Sequence, residues 1–233
     1  MNLKLLPDAD APTQDETRHQ LLEAAGGVFA EAGFRNATIR EICRRAGANI
    51  AAVNYHFGDK ETLYAEVLRH SQQKAFEKYP PLLGLAADAP PEERLRAFIQ
   101  SFLLRIFDSG STAWFGKMMS REMVEPTEVL DLLVAERMQP MADLLRGIVA
   151  EILGCPVHAE NVRLCCFSVV SQCVFYHHCR TMIFRLFPEQ RLDASAVEQL
   201  AGHIARFSLA AMKHLPDPKR AKLKRRLPAR GRR

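Results

Sequence analysis

No stretch of this 233-residue chain is apolar over the roughly 18–20 residues that a membrane-spanning helix requires. No membrane partner is therefore expected. The first sixteen residues, MNLKLLPDADAPTQDE, are too acidic and too poor in apolar residues for a secretory signal. A cytoplasmic location follows as the expectation, and in that reducing compartment the six cysteines read as thiols rather than as a disulfide framework. No long alternation of apolar and polar residues marks a strand, and no internal repeat or low-complexity segment precedes the C-terminal tail. The chain also lacks a CxxC pair, an HExxH motif, a glycine-rich phosphate loop and a nucleophile elbow. Nothing in the sequence positions His56, Tyr55, Lys60 or Cys43 for acid–base or nucleophilic work, so an enzyme is not expected.

What is present fits a globular protein of one to two domains. Hydrophobic residues make up 48% and charged residues 25%, and the length suffices for a sizeable core. The net charge of +5 is unevenly placed. Residues 213–233 hold ten Lys or Arg against Asp217, a net +9, which leaves residues 1–212 at −4. The tail is either a segment that meets a polyanion or a disordered, solubilising end.

Periodicity predicts helices throughout, hence an all-α fold. Leu21, Leu22, Ala25, Val28, Phe29 and Ala32 recur at helical spacing up to Gly33. The stretch TIRE at 38–41 reads as a capping box opening a helix that runs to Ala46 and stops at Gly47. A third helix carries Ile50, Val53 and Phe57 to Gly58, and a fourth begins near Asp59. The prolines and glycine of YPPLLGLAADAPPEE, 79–93, mark a linker. Beyond it, helices are predicted around 92–107, 112–123, 127–152, 159–185 and 194–214, with Pro140 kinking or splitting the third. Residues 164–176, LCCFSVVSQCVFY, are apolar nearly all round, which demands burial on most sides. Two readings satisfy this: a central helix within a monomer, or a four-helix subunit interface built by 159–185 and 194–214 of two copies.

The chemistry-bearing stretch is GANIAAVNYHFGDKETLY, 47–64. Two short helices about a tight turn form a helix-turn-helix, in which the second helix lies in the major groove of DNA. At about 100° per residue, Ile50, Val53 and Phe57 share an inward side, and Ala48, Ala51, Ala52 and Tyr55 fall opposite. Asn54 and His56 stand on the borders. Small alanines allow close approach to base edges, their methyls suit thymine methyls, and Asn54 suits an adenine edge. His56, Lys60, the Tyr55 hydroxyl and the free amides of the helix capped by Thr38 suit phosphate oxygens. Asn49 stands at the start of the recognition helix and completes the expected DNA-binding set.

These residues resemble a known family. LLEAAGGVFAEAGFRNATIREICRRAGA followed by YHFGDKETLY is similar to the DNA-binding domain of TetR-type transcriptional regulators, over Thr17 to about Ser71. The family usually has two aromatics before the histidine, and here the first is Asn54. A second stretch, KMMSREMVEPTEVLDLLVAERMQPMADLL at 117–145, resembles the CecR-like subgroup, which is linked to efflux-transporter genes and antibiotic sensitivity. The resemblance implies a homodimer with two DNA-binding domains and a C-terminal domain that binds a small-molecule inducer, and a repressor acting on a palindromic double-stranded DNA operator is the expectation. Expected boundaries are 15–75 for the DNA-binding domain, 76–215 for the ligand-binding and dimerisation domain, and 216–233 for the basic tail.

An inducer pocket is expected among Phe102, Trp114, Phe115, Met118, Met119, Glu122 and Phe175, where aromatic and methionine side chains suit an adaptable apolar site. Arg121 and Glu122 are either its polar part or a buried ion pair. Cys165, Cys166, Cys173, His177, His178 and Cys179 offer an alternative, a metal- or thiol-responsive regulator. The same cysteines also suit simple packing. No metal ligand and no cofactor are assigned.

Overall fold

A computed structural model describes residues 13–108 and 113–215, and the basic tail lies outside the described residues. All regular elements among them are helical: α1 Gln14–Asn36, α2 Ile39–Ala46, α3 Ile50–Phe57, α4 Lys60–Lys78, α5 Pro91–Phe107, α6 Ala113–Glu122, α7 Val129–Leu133, α8 Gln139–Leu153, α9 Glu160–His178, α10 Arg180–Leu186 and α11 Ala194–His214. The all-α expectation holds. The packing units do not follow chain order: residues up to Pro81 group with Leu104–Gln139, and Leu82–Leu103 group with Pro140 onward.

In the first unit α1 is the central element and packs on α2, α4 and α6. Its apolar face, Leu21, Leu22, Ala25, Val28 and Phe29, meets Ile42 and Cys43 of α2, Val53 and Phe57 of α3, and Leu63, Tyr64, Val67 and Leu68 of α4. Cys43 is thus a packed side chain. Thr13 and Glu16 form a reciprocal capping box at the start of α1. Gly33 breaks the helix near its end with φ 77°, ψ 168°, a conformation that a side chain resists. Thr38 makes only half of the expected capping box: its Oγ1 accepts from the Glu41 amide at 3.2 Å. The Glu41 carboxylate turns instead to Arg44 and Arg45, at 2.8 Å from each. Beyond α4, Lys78 Nζ pairs with Asp108 at 2.8 Å, and Arg105 donates to the Tyr79 carbonyl at 2.9 Å while its guanidinium lies 4.4 Å from the Phe76 ring centroid. Burial lowers the Arg105 pKa to about 10.

Pro140 does not split its helix in the expected way. A π-helical turn, Val134–Met138, joins α7 to α8 and places Pro140 at the second residue of α8. The wider i→i+5 turn fits the place where proline lacks an N–H and crowds the carbonyl four residues back.

In the second unit α9 packs on α10 and α11. The helix expected over 159–185 is broken at Cys179, whose φ −94°, ψ 8° lies in the bridge region, ending α9 and preceding α10. Val162, Cys166, Val169 and Cys173 face inward. Leu164, Phe167 and Phe175 are exposed on this chain, so α9 is buried on one side within it and carries apolar residues among polar ones on the other.

Candidate nucleic-acid interface

The turn between α2 and α3 is fixed by its backbone. Gly47 ends α2 in the left-handed region, φ 64°, ψ 25°, and its N–H bonds the Cys43 carbonyl. Asn49 then caps α3: its Oδ1 accepts from the Ala52 amide at 2.9 Å. One acceptor of Asn49 is therefore spent on the helix rather than left for a ligand. Asp59 caps α4 in the same manner, accepting from Thr62 at 2.7 Å. Each short helix begins on a side-chain cap, and α2 and α3 end at glycines, which sets their directions sharply.

Burial sorts the residues of α3 into two faces. Val53 and Phe57 are buried, and Ala52 and His56 are half-buried beside them. Ile50, Ala51, Asn54 and Tyr55 face outward, with Tyr55 70% exposed and Ile50 49% exposed. The expected inward anchor at Ile50 is thus corrected: it belongs to the outward face. Ala48 and Ala52, expected outward, are half-buried and pack against the core. The inward set 52, 53, 56, 57 and the outward set 50, 51, 54, 55 each follow i, i+1, i+4, i+5, about a quarter-turn away from the expected division. Ile50 sits in the first turn, where it escapes the core that Phe57 reaches. Asn54 lies in the middle of the outward strip rather than on its border.

Around this strip stand the groups expected to meet phosphate. His56 lies edge-on to Tyr55, with ring centroids 5.0 Å apart. Lys60 is half-buried: its Nζ lies 3.4 Å from the Arg35 carbonyl and 4.6 Å from the Phe34 ring centroid, and burial lowers its pKa. Thr38 spends its hydroxyl on the α2 cap. Sequence reasoning passed over Arg40, which is exposed at the second residue of α2. A cation there opposes the helix dipole by about 0.3–1 kcal/mol. That mismatch is the signal that could have marked it, since an incoming anion would offset it.

The residues expected to form an inducer pocket are divided between the two units. Met118 and Met119 are buried in the first unit's core, with Trp114 and Phe115 packed at its edge. Glu122 is buried and accepts from the Tyr64 hydroxyl at 2.8 Å, from the Thr127 amide at 2.9 Å and from the Thr127 hydroxyl at 3.1 Å. Phe102 and Phe175 belong to the second unit, where Phe102 is half-buried and Phe175 is exposed. Arg121 donates to the Glu31 carbonyl at 2.8 Å and lines the same cleft as Glu122. That cleft, of about 320 Å³, lies within the first unit, and Glu122 is the one residue of the expected set that lines it.

The Cys/His alternative fares less well on geometry. Cys165, Cys166 and Cys173 are buried, and burial raises the thiol pKa to about 11 at Cys166 and about 12 at Cys173. None of the group from 165 to 179 forms a three-ligand cluster among the described residues.

Known proteins resemble this chain in both sequence and fold. Residues 21–67 match the family described as bacterial regulatory proteins, tetR family. Residues 91–212 match the C-terminal domain of HTH-type transcriptional dual regulator CecR. The chain is 30% identical over 169 residues to the dual regulator CecR of Shigella flexneri, covering 68% of this chain and 74% of that one. It is 37% identical over 98 residues to the repressor NicS of Pseudomonas putida, where the match spans 41% of this chain and 45% of that protein. In fold it resembles a TetR-like transcriptional regulator from Rhodococcus sp. RHA1, with a TM-score of 0.60 at 20% identity, covering 87% of this chain and 98% of that one.

Proposed function

The chain belongs to the TetR family of bacterial DNA-binding transcriptional regulators, with the C-terminal domain of the CecR branch, and on that premise we propose that it is a homodimeric, ligand-responsive repressor of a palindromic operator. It is a regulator and not an enzyme. The observation that carries the reading is the outward strip of α3, Ile50, Ala51, Asn54 and Tyr55, on a helix held by an asparagine cap and a left-handed glycine turn. Small and apolar side chains let the helix approach base edges, and Asn54 supplies the paired donor and acceptor that adenine accepts. His56, Lys60, Arg40 and the free amides at the start of α2 surround the strip with phosphate-binding chemistry.

In this reading the DNA-binding domain covers about 15–75 and a ligand-binding and dimerisation domain covers 76–215. Two copies join through α9, α10 and α11, whose exposed Leu164, Phe167, Phe175 and Phe207 supply the apolar surface. A small apolar or amphipathic inducer shifts the spacing of the two recognition helices, with α4 as the connection that carries the shift. Half-sites fixed on the operator then no longer match, and affinity falls. A regulator of this kind acts in the cytoplasm, where its operator is, and efflux-transporter genes are the proposed targets.

Selection of bound duplexes from a random pool tests the proposal. A recovered palindrome whose half-sites lie about one helical turn apart, or a multiple of it, is expected. Recovery of a single unpaired half-site, or of no sequence preference, would overturn it.

A further inference from the structure

A cluster outside the recognition surface carries a second chemistry. His19 and Glu23 stand one turn apart on α1, and His70 of α4 faces them. One ligand atom from each lies within 4.8 Å of the other two. His70 Nε2 is 3.4 Å from Glu23 Oε1, and the two imidazoles meet edge-on with centroids 5.8 Å apart. We propose that His19, Glu23 and His70 form a zinc-type metal site that clamps α1 to α4.

Two imidazoles and one carboxylate are a ligand set that zinc accepts, with a fourth position left for water. The i, i+4 spacing on α1 puts both of its ligands on one helical face, and the third comes from a separate helix, so three directions converge. Tetrahedral zinc needs bonds of about 2.0–2.2 Å, so the ligands must close from their present separation. The exposed His19 side chain is free to make most of that movement. His19 and His70 are exposed or half-buried, which leaves an entry path from solvent.

Lys74 is the built-in competitor. Its Nζ lies 2.5 Å from Glu23 Oε1, the same oxygen that approaches His70. In the metal-free protein Lys74 supplies the positive charge beside Glu23. Zinc would displace the ammonium from that oxygen, so loss of Lys74 should strengthen metal binding. The site thereby exchanges a side-chain contact across the α1–α4 interface for a coordinate link across it. It stands apart from the DNA reading: its ligands are not on α3, and it can fail or hold whatever the operator proves to be.

The test is titration of the full chain, purified without a histidine tag, with zinc chloride by calorimetry, and with cobalt(II) by absorption. Micromolar uptake of one zinc per chain is expected, with a rise in Tm. His19→Ala should weaken uptake by about tenfold or more, and Lys74→Ala should tighten it. His19 is exposed, so its replacement should leave the fold intact, which circular dichroism verifies. Bound cobalt should show d–d bands without thiolate charge transfer. No uptake at micromolar zinc, uptake unchanged in both His19→Ala and His70→Gln, or a thiolate band in the cobalt spectrum would each overturn the site.

Discussion

The indole of Trp114 occupies the space that a side chain at residue 26 would need. A Cβ built on Gly26 would stand 2.0 Å from Trp114 Cε3 and 2.2 Å from Cζ3. Glycine in a helix interior costs about 1 kcal/mol relative to alanine, and here that cost is offset by the ring of α6 packing directly on the backbone of α1. Gly26→Ala should therefore displace Trp114. Overpacking of about 1–3 kcal/mol exceeds the helix-propensity gain, so a net loss on the order of 1 kcal/mol is expected. Trp114 is the sole tryptophan of the chain, so its emission reports the displacement without a label. A red-shifted emission and a lower Tm are expected, and an unchanged spectrum would show that the indole does not rest on Gly26.

Asn54 stands at the centre of the outward strip of α3, where the family usually has an aromatic. Its amide presents a donor and an acceptor side by side, the pair that an adenine edge requires. Asn54→Ala should relax preference at one base pair of each half-site by about 1–3 kcal/mol. Phosphate contacts should be untouched, so the salt dependence of binding should stay as in the parent. A variant whose preference is identical at every position would remove Asn54 from base readout.

Lys60 calls for the opposite pattern. Its ammonium hovers 3.4 Å from the Arg35 carbonyl and over the Phe34 ring, a long contact from which it can swing to a phosphate. Lys60→Ala should weaken binding to all sequences alike and reduce the log–log salt slope by about 1 per chain. Binding measured from low to moderate salt on operator and on unrelated DNA distinguishes the outcomes. A changed base preference with an unchanged slope would assign Lys60 a different role.

Much of this arrangement was legible in the sequence because local rules set it. The break of α1 at Gly33, the end of α2 at Gly47, the cap at Thr38 and the helical character throughout follow from backbone preferences that act within a few residues. The faces of α3 were legible only to within about a quarter-turn. Ile50 is apolar, and composition alone turns it inward, but in an eight-residue helix the neighbours of each turn are decided by tertiary contacts. The pairings that escaped reading are those made across long sequence separations. Glu122 finds Tyr64 58 residues away, and His70 meets Glu23 at a distance of 47. The cysteines of α9 share a face by spacing, yet spacing could not say whether that face was reactive or buried.

The thiols of α9 give a direct test of the redox alternative. Burial holds Cys166 near pKa 11 and Cys173 near 12, so the reactive thiolate is scarce at neutral pH. Cys155 and Cys179 are half-buried. Brief treatment of the native protein with an alkylating reagent, read by peptide mass spectrometry, should label Cys155 and Cys179 first. Cys43, Cys166 and Cys173 should react only after denaturation. Rapid native labelling of Cys166 and Cys173 would return the thiol-responsive reading to the front.

The exposed apolar residues of α9 and α11 allow the proposed dimer to be tested without disturbing the fold. Phe167 and Phe207 are each 61% exposed, a costly position for a phenyl ring unless a partner covers it. The groove between these helices is lined by Leu164, Cys165, Val169, Phe207 and Met212, and its volume is about 210 Å³. Burying a phenylalanine side chain contributes about 1.5–3 kcal/mol, and a two-fold interface repeats each contact. Phe167→Arg combined with Phe207→Arg places like charges on the surface where two copies would meet. The parent should sediment as a dimer and the double variant as a monomer with the same helical content. The monomer should also lose its affinity for a full palindrome while keeping weak binding to a half-site. A double variant that remains dimeric would place the subunit interface elsewhere on the chain.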